Sequence, residues 1–130
     1  MKIKIKKTHK DASLPVYATA GAAAFDLSTV EHGIVGLVPK IFNTGLQFEI
    51  PDNHVMLLFS RSGHGFNQGI RLSNCVGVID SDYRGEVKVK LRSDEHMKEF
   101  NVGDRIAQGI ILPVEQVEFE AVDDLNVTTR

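Results

Sequence analysis

The sequence predicts an all-β fold of the barrel or sandwich type. Two patterns carry that prediction. Short runs alternate apolar and polar residues with period two, as in Gly45-Leu-Gln-Phe-Glu-Ile50 and Val87-Lys-Val-Lys-Leu91. Glycine and proline punctuate the runs at close spacing, as at Gly36, Pro39 and Pro51. The chain has 130 residues, and residues 1–130 are predicted to form one domain. A chain of this size buries roughly two-thirds of its unfolded surface, enough for a core without disulfides.

Residues 2–7 read as a strand in which Lys2, Lys4 and Lys6 alternate with Ile3 and Ile5. Charge along one face suits an edge strand, because it discourages pairing with other chains. Leu14-Pro15 opens an irregular segment that runs to Gly21. Ala22, Ala23 and Ala24 suit a helix by propensity, but Gly21 and the β-rich surroundings favour strand or loop. Phe25-Asp-Leu27 alternates as a strand does, and Asp26 reads either as a strand-end aspartate or as a residue at the edge of a site. Residues 33–37 and 40–44 are predicted as short strands, followed by a separate strand at 45–50 and a turn at Pro51-Asp-Asn53. The nearly unbroken apolar run at 54–59 predicts a strand buried on both faces.

Ser60 is predicted to cap one short helical turn. The free N–H groups of such a turn attract anions. Arg61 adds a guanidinium fork for phosphate oxygens, Ser62 a hydroxyl donor, and Gly63 an unobstructed N–H. The bland alternative is a capped surface turn. His64 is expected to face solvent.

Residues 74–85 concentrate the chemistry. They run from Asn74 through Gly77, Val78 and Ile79 to Asp80-Ser-Asp-Tyr-Arg-Gly85, between alternating runs at 70–72 and 87–91. This predicts a β-hairpin or tight strand pair. Asp80 beside an apolar wall is a candidate general base, since burial raises a carboxylate toward the working range. Tyr83 offers a flat ring with a polar tip, and Gly77 and Gly85 admit close backbone approach. An ordinary Asp-Ser-Asp surface turn is the competing reading. Cys75 is expected to be a small packed side chain. Residues 93–99 read as a loop and 102–104 as a turn. Arg105-Ile-Ala-Gln108 leads into an apolar strand, with Gln108 contacting either phosphate or backbone. A last alternating strand is predicted at 113–120, and 121–130 as a mobile polar tail.

A net charge of −2 provides no basic footprint for a nucleic-acid backbone, so no nucleic-acid partner is expected. One cysteine excludes an internal disulfide and a cysteine-built zinc site. No apolar run is long enough to span a membrane, and a cytoplasmic protein is the expectation.

Four segments together resemble the homotrimeric dUTPases (deoxyuridine triphosphate nucleotidohydrolases). They are Ala20-Gly-Ala-Ala-Ala-Phe-Asp-Leu27, Arg61-Ser-Gly63, Gly77-Val-Ile-Asp-Ser-Asp-Tyr-Arg-Gly85 and Gly103-Asp-Arg-Ile-Ala-Gln108, in family order. The resemblance implies a distorted, jelly-roll-like β-barrel of the β-clip type with one short helix. It also implies hydrolysis of dUTP to dUMP and pyrophosphate, which supplies a dTTP precursor and keeps uracil out of DNA. By the same likeness Asp80 activates water and Ser62 donates near the bond that breaks. Arg61, Gly63 and Gln108 hold the triphosphate. Asn74 and the backbone at Gly77 and Ile79 read uracil, and Tyr83 lies under the deoxyribose. Magnesium rides on the phosphates, with Asp26 reaching it through water, and the active sites lie between subunits of a trimer. The family's fifth signature, a glycine-rich C-terminal arm, is not among the 130 residues, so lowered turnover is expected. Two rival readings share the fold: dCTP deaminase, whose catalytic glutamate would fall near Lys90, and a non-catalytic nucleotide-binding regulator.

Overall fold

Burial along the long strands shows how the chain is layered. The computed structural model describes all 130 residues. In chain order the elements are β1 (Lys4–Lys7), β2 (Val16–Tyr17), β3 (Phe25–Ser28), β4 (Gly33–Val35), β5 (Lys40–Glu49), β6 (His54–Phe59), α1 (Ser62–Gln68), β7 (Ile70–Leu72), β8 (Gly77–Ile79), β9 (Glu86–Ser93), β10 (Lys98–Phe100) and β11 (Arg105–Pro113). β9 buries Val87, Val89 and Leu91 and turns Lys88 and Lys90 outward. β5 buries Phe42, Thr44, Leu46 and Phe48 on the matching face. The apolar ones among these side chains join Leu27, Met56, Leu58 and Ile106 in a core cluster of 19 buried residues.

The fold is all-β with one short helix. Its strands form a distorted, jelly-roll-like arrangement whose hydrogen bonding divides into three sheets and does not close into one barrel. The sheets run β1-β5-β9-β7, β2-β3-β11-β6-β8 and β10-β4, and every pairing is antiparallel.

Several sequence expectations change. The two strands predicted at 40–44 and 45–50 are one strand, β5, with an irregular register between Asn43 and Gln47. Gly45 sits there at φ +66°, and a Cβ on it would lie 2.8 Å from His9 Cβ and 2.9 Å from Ala12 Cβ. Glycine thus lets the strand bend through a bulge without ending. β6 is buried on one face only, through Met56 and Leu58, because nothing in the chain covers its other side. The loop predicted at 93–99 holds most of β10, which forms because Phe100 packs against Phe42 with ring centroids 5.5 Å apart.

The strand predicted at 113–120 is not formed. β11 ends at Pro113, and residues 114–130 are exposed. Val117 and Phe119, 65% and 92% exposed, have no facing surface within the chain, so alternation there has nothing to pack on.

Candidate active site

Strand register assembles the first group of site residues. In the five-stranded sheet Asp26 of β3 lies opposite Gln108 of β11, and Gln108 lies opposite Phe59 of β6. Ser60 and Arg61 follow Phe59 directly, so residues from three distant stretches meet in one row. Arg61 Nε donates to Asp26 Oδ1 at 2.9 Å, and Arg105 Nη1 donates to Asp26 Oδ2 at 3.3 Å. Only 10% of the Asp26 side chain is exposed, against 22% for Arg61 and 50% for Arg105. Two guanidiniums on one carboxylate leave the group with a net positive charge. Gln108 Nε2 donates to the Ser60 carbonyl at 2.9 Å, which ties β11 to the start of the turn. Asp26, Arg61, Ser62 and Gln108 line a cleft of about 680 Å³.

The helix after Ser60 differs from the sequence expectation. Its N-cap is Arg61, with no side-chain cap. The Ser60 hydroxyl instead accepts from the Leu72 N–H at 2.9 Å, because Ser60 lies one residue too early to reach the helix. The first N–H groups of a helix have no partner within it, so those of Ser62 and Gly63 remain available, and both residues are exposed. A Cβ on Gly63 would meet nothing within 4 Å; packing in this chain does not require glycine there. His64 does not face solvent. Its ring lies edge-on to Phe100, with centroids 5.2 Å apart.

The second group comes from residues 70–93. β7 and β9 pair with each other, Leu72 opposite Leu91, as the predicted hairpin requires. Between them, however, β8 leaves that sheet and pairs with β6, with Gly77 opposite Leu58 and Ile79 opposite Met56. A Cβ at Gly77 would stand 3.1 Å from Leu58 Cβ, so glycine permits this close crossing. Asn74, Gly77, Ile79 and Lys88 border a cleft of about 300 Å³ between the two sheets. Cys75 is exposed at φ +64°, not packed as expected; the crossing chain turns there and swings the side chain outward.

The turn beyond β8 is self-braced. The Tyr83 N–H donates to the Asp80 carbonyl at 3.2 Å, and Arg84 Nη1 donates to the Ser81 carbonyl at 2.6 Å. The Tyr83 hydroxyl donates to the Glu86 carbonyl at 3.0 Å. Asp80 is exposed; it opens on a third recess of about 480 Å³, lined by Val55, Val78 and Val114 as well as His54, Asp82 and Gln116. The sequence-predicted residues therefore fall in three places. Asp26, Arg61, Ser62 and Gln108 share one cleft, Asn74, Gly77 and Ile79 another, and Asp80 a third.

A model of the dUTPase family matches residues 10–130. The deoxyuridine 5'-triphosphate nucleotidohydrolase of Nautilia profundicola is 44% identical over 133 residues, covering 100% of this chain and 93% of that protein. The Helicobacter hepaticus enzyme of the same name is 41% identical, with 100% and 84% covered. The chain belongs to the dUTPase family. Among solved structures, the dUTPase from phage phi11 of S. aureus superposes with a TM-score of 0.89 at 19% identity, covering 98% of this chain and 100% of that one. The Staphylococcus bacteriophage 80alpha dUTPase with dUPNHPP gives 0.89 at 20% identity, covering 98% and 92%. Identities this low establish a shared fold only.

Two residues of this dUTPase-family chain escaped the sequence reading. Arg105 lies inside the fourth signature, yet only the β11–β3 register reveals its partner. His64 lies inside the helix, and no periodicity marks it, because the helix has no fully buried face.

Proposed function

We propose that this chain hydrolyses dUTP to dUMP and pyrophosphate by attack of water on the α-phosphorus. The observation that carries this is the Arg61–Asp26–Arg105 group beside the unpartnered N–H groups of Ser62 and Gly63. Such an arrangement is fixed before the substrate arrives, and preorganised donors of this type are often the largest catalytic term. Asp26 holds the guanidiniums in place, Arg61 presents its remaining donors to phosphate oxygens, and Ser62 donates near the scissile bond. Gln108, with Nε2 committed to Ser60, keeps the turn in register and offers its remaining donor. Asp80, exposed and free of any ion pair, takes the proton of the attacking water.

The base cleft supplies selection. Main-chain groups at Gly77 and Ile79 and the Asn74 amide match the O4 acceptor and N3–H donor of uracil. Cytosine reverses that pattern and leaves buried groups unpaired, at roughly 1–3 kcal/mol each. Magnesium enters with the triphosphate as part of the substrate. No group of three or more His, Cys, Asp or Glu side chains in this chain is placed to hold an ion, and both Asp26 oxygens accept from arginines. Asp26 therefore positions the arginines and makes no direct bond to the ion, its remaining lone pairs reaching magnesium only through water.

Residues 1–130 act in this proposal as one domain around the single core cluster, and as a homotrimer. The separate clefts support the trimer, since the Arg61 turn of one copy and the Asn74–Asp80 side of another would complete one site. The tail supports it too. Residues 114–130 carry Glu115, Glu118, Glu120, Asp123 and Asp124 against Arg130 alone, whereas residues 1–10 carry five lysines and no acid. β1, at the edge of its sheet, offers a neighbouring copy's tail a complementary charge.

The test is a nucleotide panel with magnesium, reading pyrophosphate and monophosphate. The expected result is release from dUTP and far less from dCTP, dTTP or UTP; equal release from all four, or ammonia from dCTP, would overturn the proposal. Tyr83 sharpens it. The ring is fixed by its hydroxyl bond to Glu86 and by Gly85, where a Cβ would stand 2.6 Å from a ring carbon. Tyr83→Ala is expected to reduce discrimination against UTP by about tenfold to a hundredfold. Undiminished discrimination would remove Tyr83 from the sugar site.

A further inference from the structure

We infer that His64 is the positioning residue of the phosphate-binding turn, its neutral ring against Phe100 being what holds the first turn of α1 in place. The inference rests on the proposal that Ser62 and Gly63 bind phosphate.

α1 cannot hold itself. Its seven residues fall short of the roughly 12–15 that an isolated helix needs. Gly65, inside the helix, costs about 1 kcal/mol relative to alanine. There is no side-chain cap, no acid in the first turn and no fully buried residue. Ser62, Gly63, Phe66 and Asn67 are exposed, and Phe66 is 91% so. Gly65 has no side chain to offer. At the far end, the Gln68 carbonyl accepts from Ser93 Oγ at a weak 3.5 Å.

Near the first turn, what remains is His64. Its ring meets Phe100 at 5.2 Å with planes 90° apart. Phe100 is 1% exposed and packs in turn on Phe42. Gln68, whose Oε1 is also buried, packs at the far end of the helix, so His64 is the side chain that ties its first half to the core.

The contact requires that imidazole to be uncharged. His64 Nδ1 is buried without a partner; as a bare acceptor it is tolerated, but a proton there would be a buried donor with no acceptor. The groups facing it are Arg61 at the helix start, Lys98 on β10 and Arg105 on β11, opposed by Asp104 alone. Lys98 Nζ also lies 5.4 Å from the Phe100 ring centroid. Burial first, then Arg61, Lys98 and Arg105, hold His64 down to about 4 from its ordinary 6.5. A depressed histidine favours folding while neutral. Its contribution is complete above the ordinary value and fades as pH falls from 6.5 toward 4.

Two variants of the full chain test this. His64→Ala removes the ring; His64→Phe keeps a ring that cannot titrate. Amide exchange of residues 62–68, corrected for intrinsic rates, is compared at about pH 7 and about pH 5. The wild type is expected to lose protection only at the lower pH, the alanine variant at both, and the phenylalanine variant at neither.

With magnesium and dUTP at about pH 7, His64→Ala is expected to raise KM and to lower kcat/KM by about tenfold or more, with kcat falling too because Ser62 sits on the same turn, within the 10²-fold that a 1 Å misplacement can cost. His64→Phe should restore KM and remove the acid limb of its pH profile. Wild-type protection in the alanine variant, or an unchanged acid limb in the phenylalanine variant, overturns the inference. Should the alanine variant not fold, the phenylalanine comparison decides alone. If the exchange results hold but no variant turns over dUTP, the proposed function fails and the anchor stands.

Discussion

Asp80→Asn is expected to lower kcat for dUTP by about 10³-fold while leaving nucleotide binding near the wild-type value. The asparagine amide has the shape of the carboxylate but cannot take a proton from water. Asp80 is exposed and forms no ion pair, so the substitution breaks no contact that the fold uses. Surface changes of this kind usually alter stability by less than about 0.5 kcal/mol. Steady-state rates at saturating dUTP, paired with calorimetric titration of dUMP, separate the two quantities. Full turnover in the variant would remove Asp80 from the chemistry.

Asp26→Asn is expected to cost about 3 kcal/mol of folding stability, at the low end of the range for breaking a buried ion pair by removing one partner. The low end applies because Arg105 is half exposed and Arg61 partly so, and both can recover some hydration. KM for dUTP should rise as well, since Arg61 loses the acceptor that orients it. The two losses are linked in a way a simple packing defect is not. Weaker binding shrinks the stabilisation that a given nucleotide concentration provides, so the same nucleotide should raise Tm less in Asp26→Asn than in the wild type. Thermal melts with and without nucleotide measure this. A variant as stable as the wild type would show that the two arginines do not depend on Asp26.

The fold was legible where burial enforces alternation. β9 reads from sequence because Val87, Val89 and Leu91 must face the core while Lys88 and Lys90 cannot. β10 did not read, because a three-residue strand holds too few residues to show a period and rests on Phe100 alone. Residues 113–120 misled for the opposite reason: the pattern is present, but the surface it would match is not in the chain. For the candidate site, the four signatures identify the residue types, and the glycines mark where backbone approaches closely. The Asp26–Arg61 and Asp26–Arg105 pairs were invisible because they join residues 35 and 79 positions apart, and only the register of β3, β11 and β6 brings them together. The side of the molecule on which Asp80 opens is not legible in the sequence, because β8 leaves the β7–β9 pairing to join β6.

That departure of β8 has a thermodynamic consequence. The cleft proposed for the base takes its walls from β6 and β8 on one side and from β7 and β9 on the other. A pyrimidine lodged there rivets two layers whose backbones share no hydrogen bonds at that point. Neither layer can melt alone without expelling the guest. A monophosphate at a hundred times its Kd should therefore hold both layers to a single, later melting transition, worth about 2.7 kcal/mol.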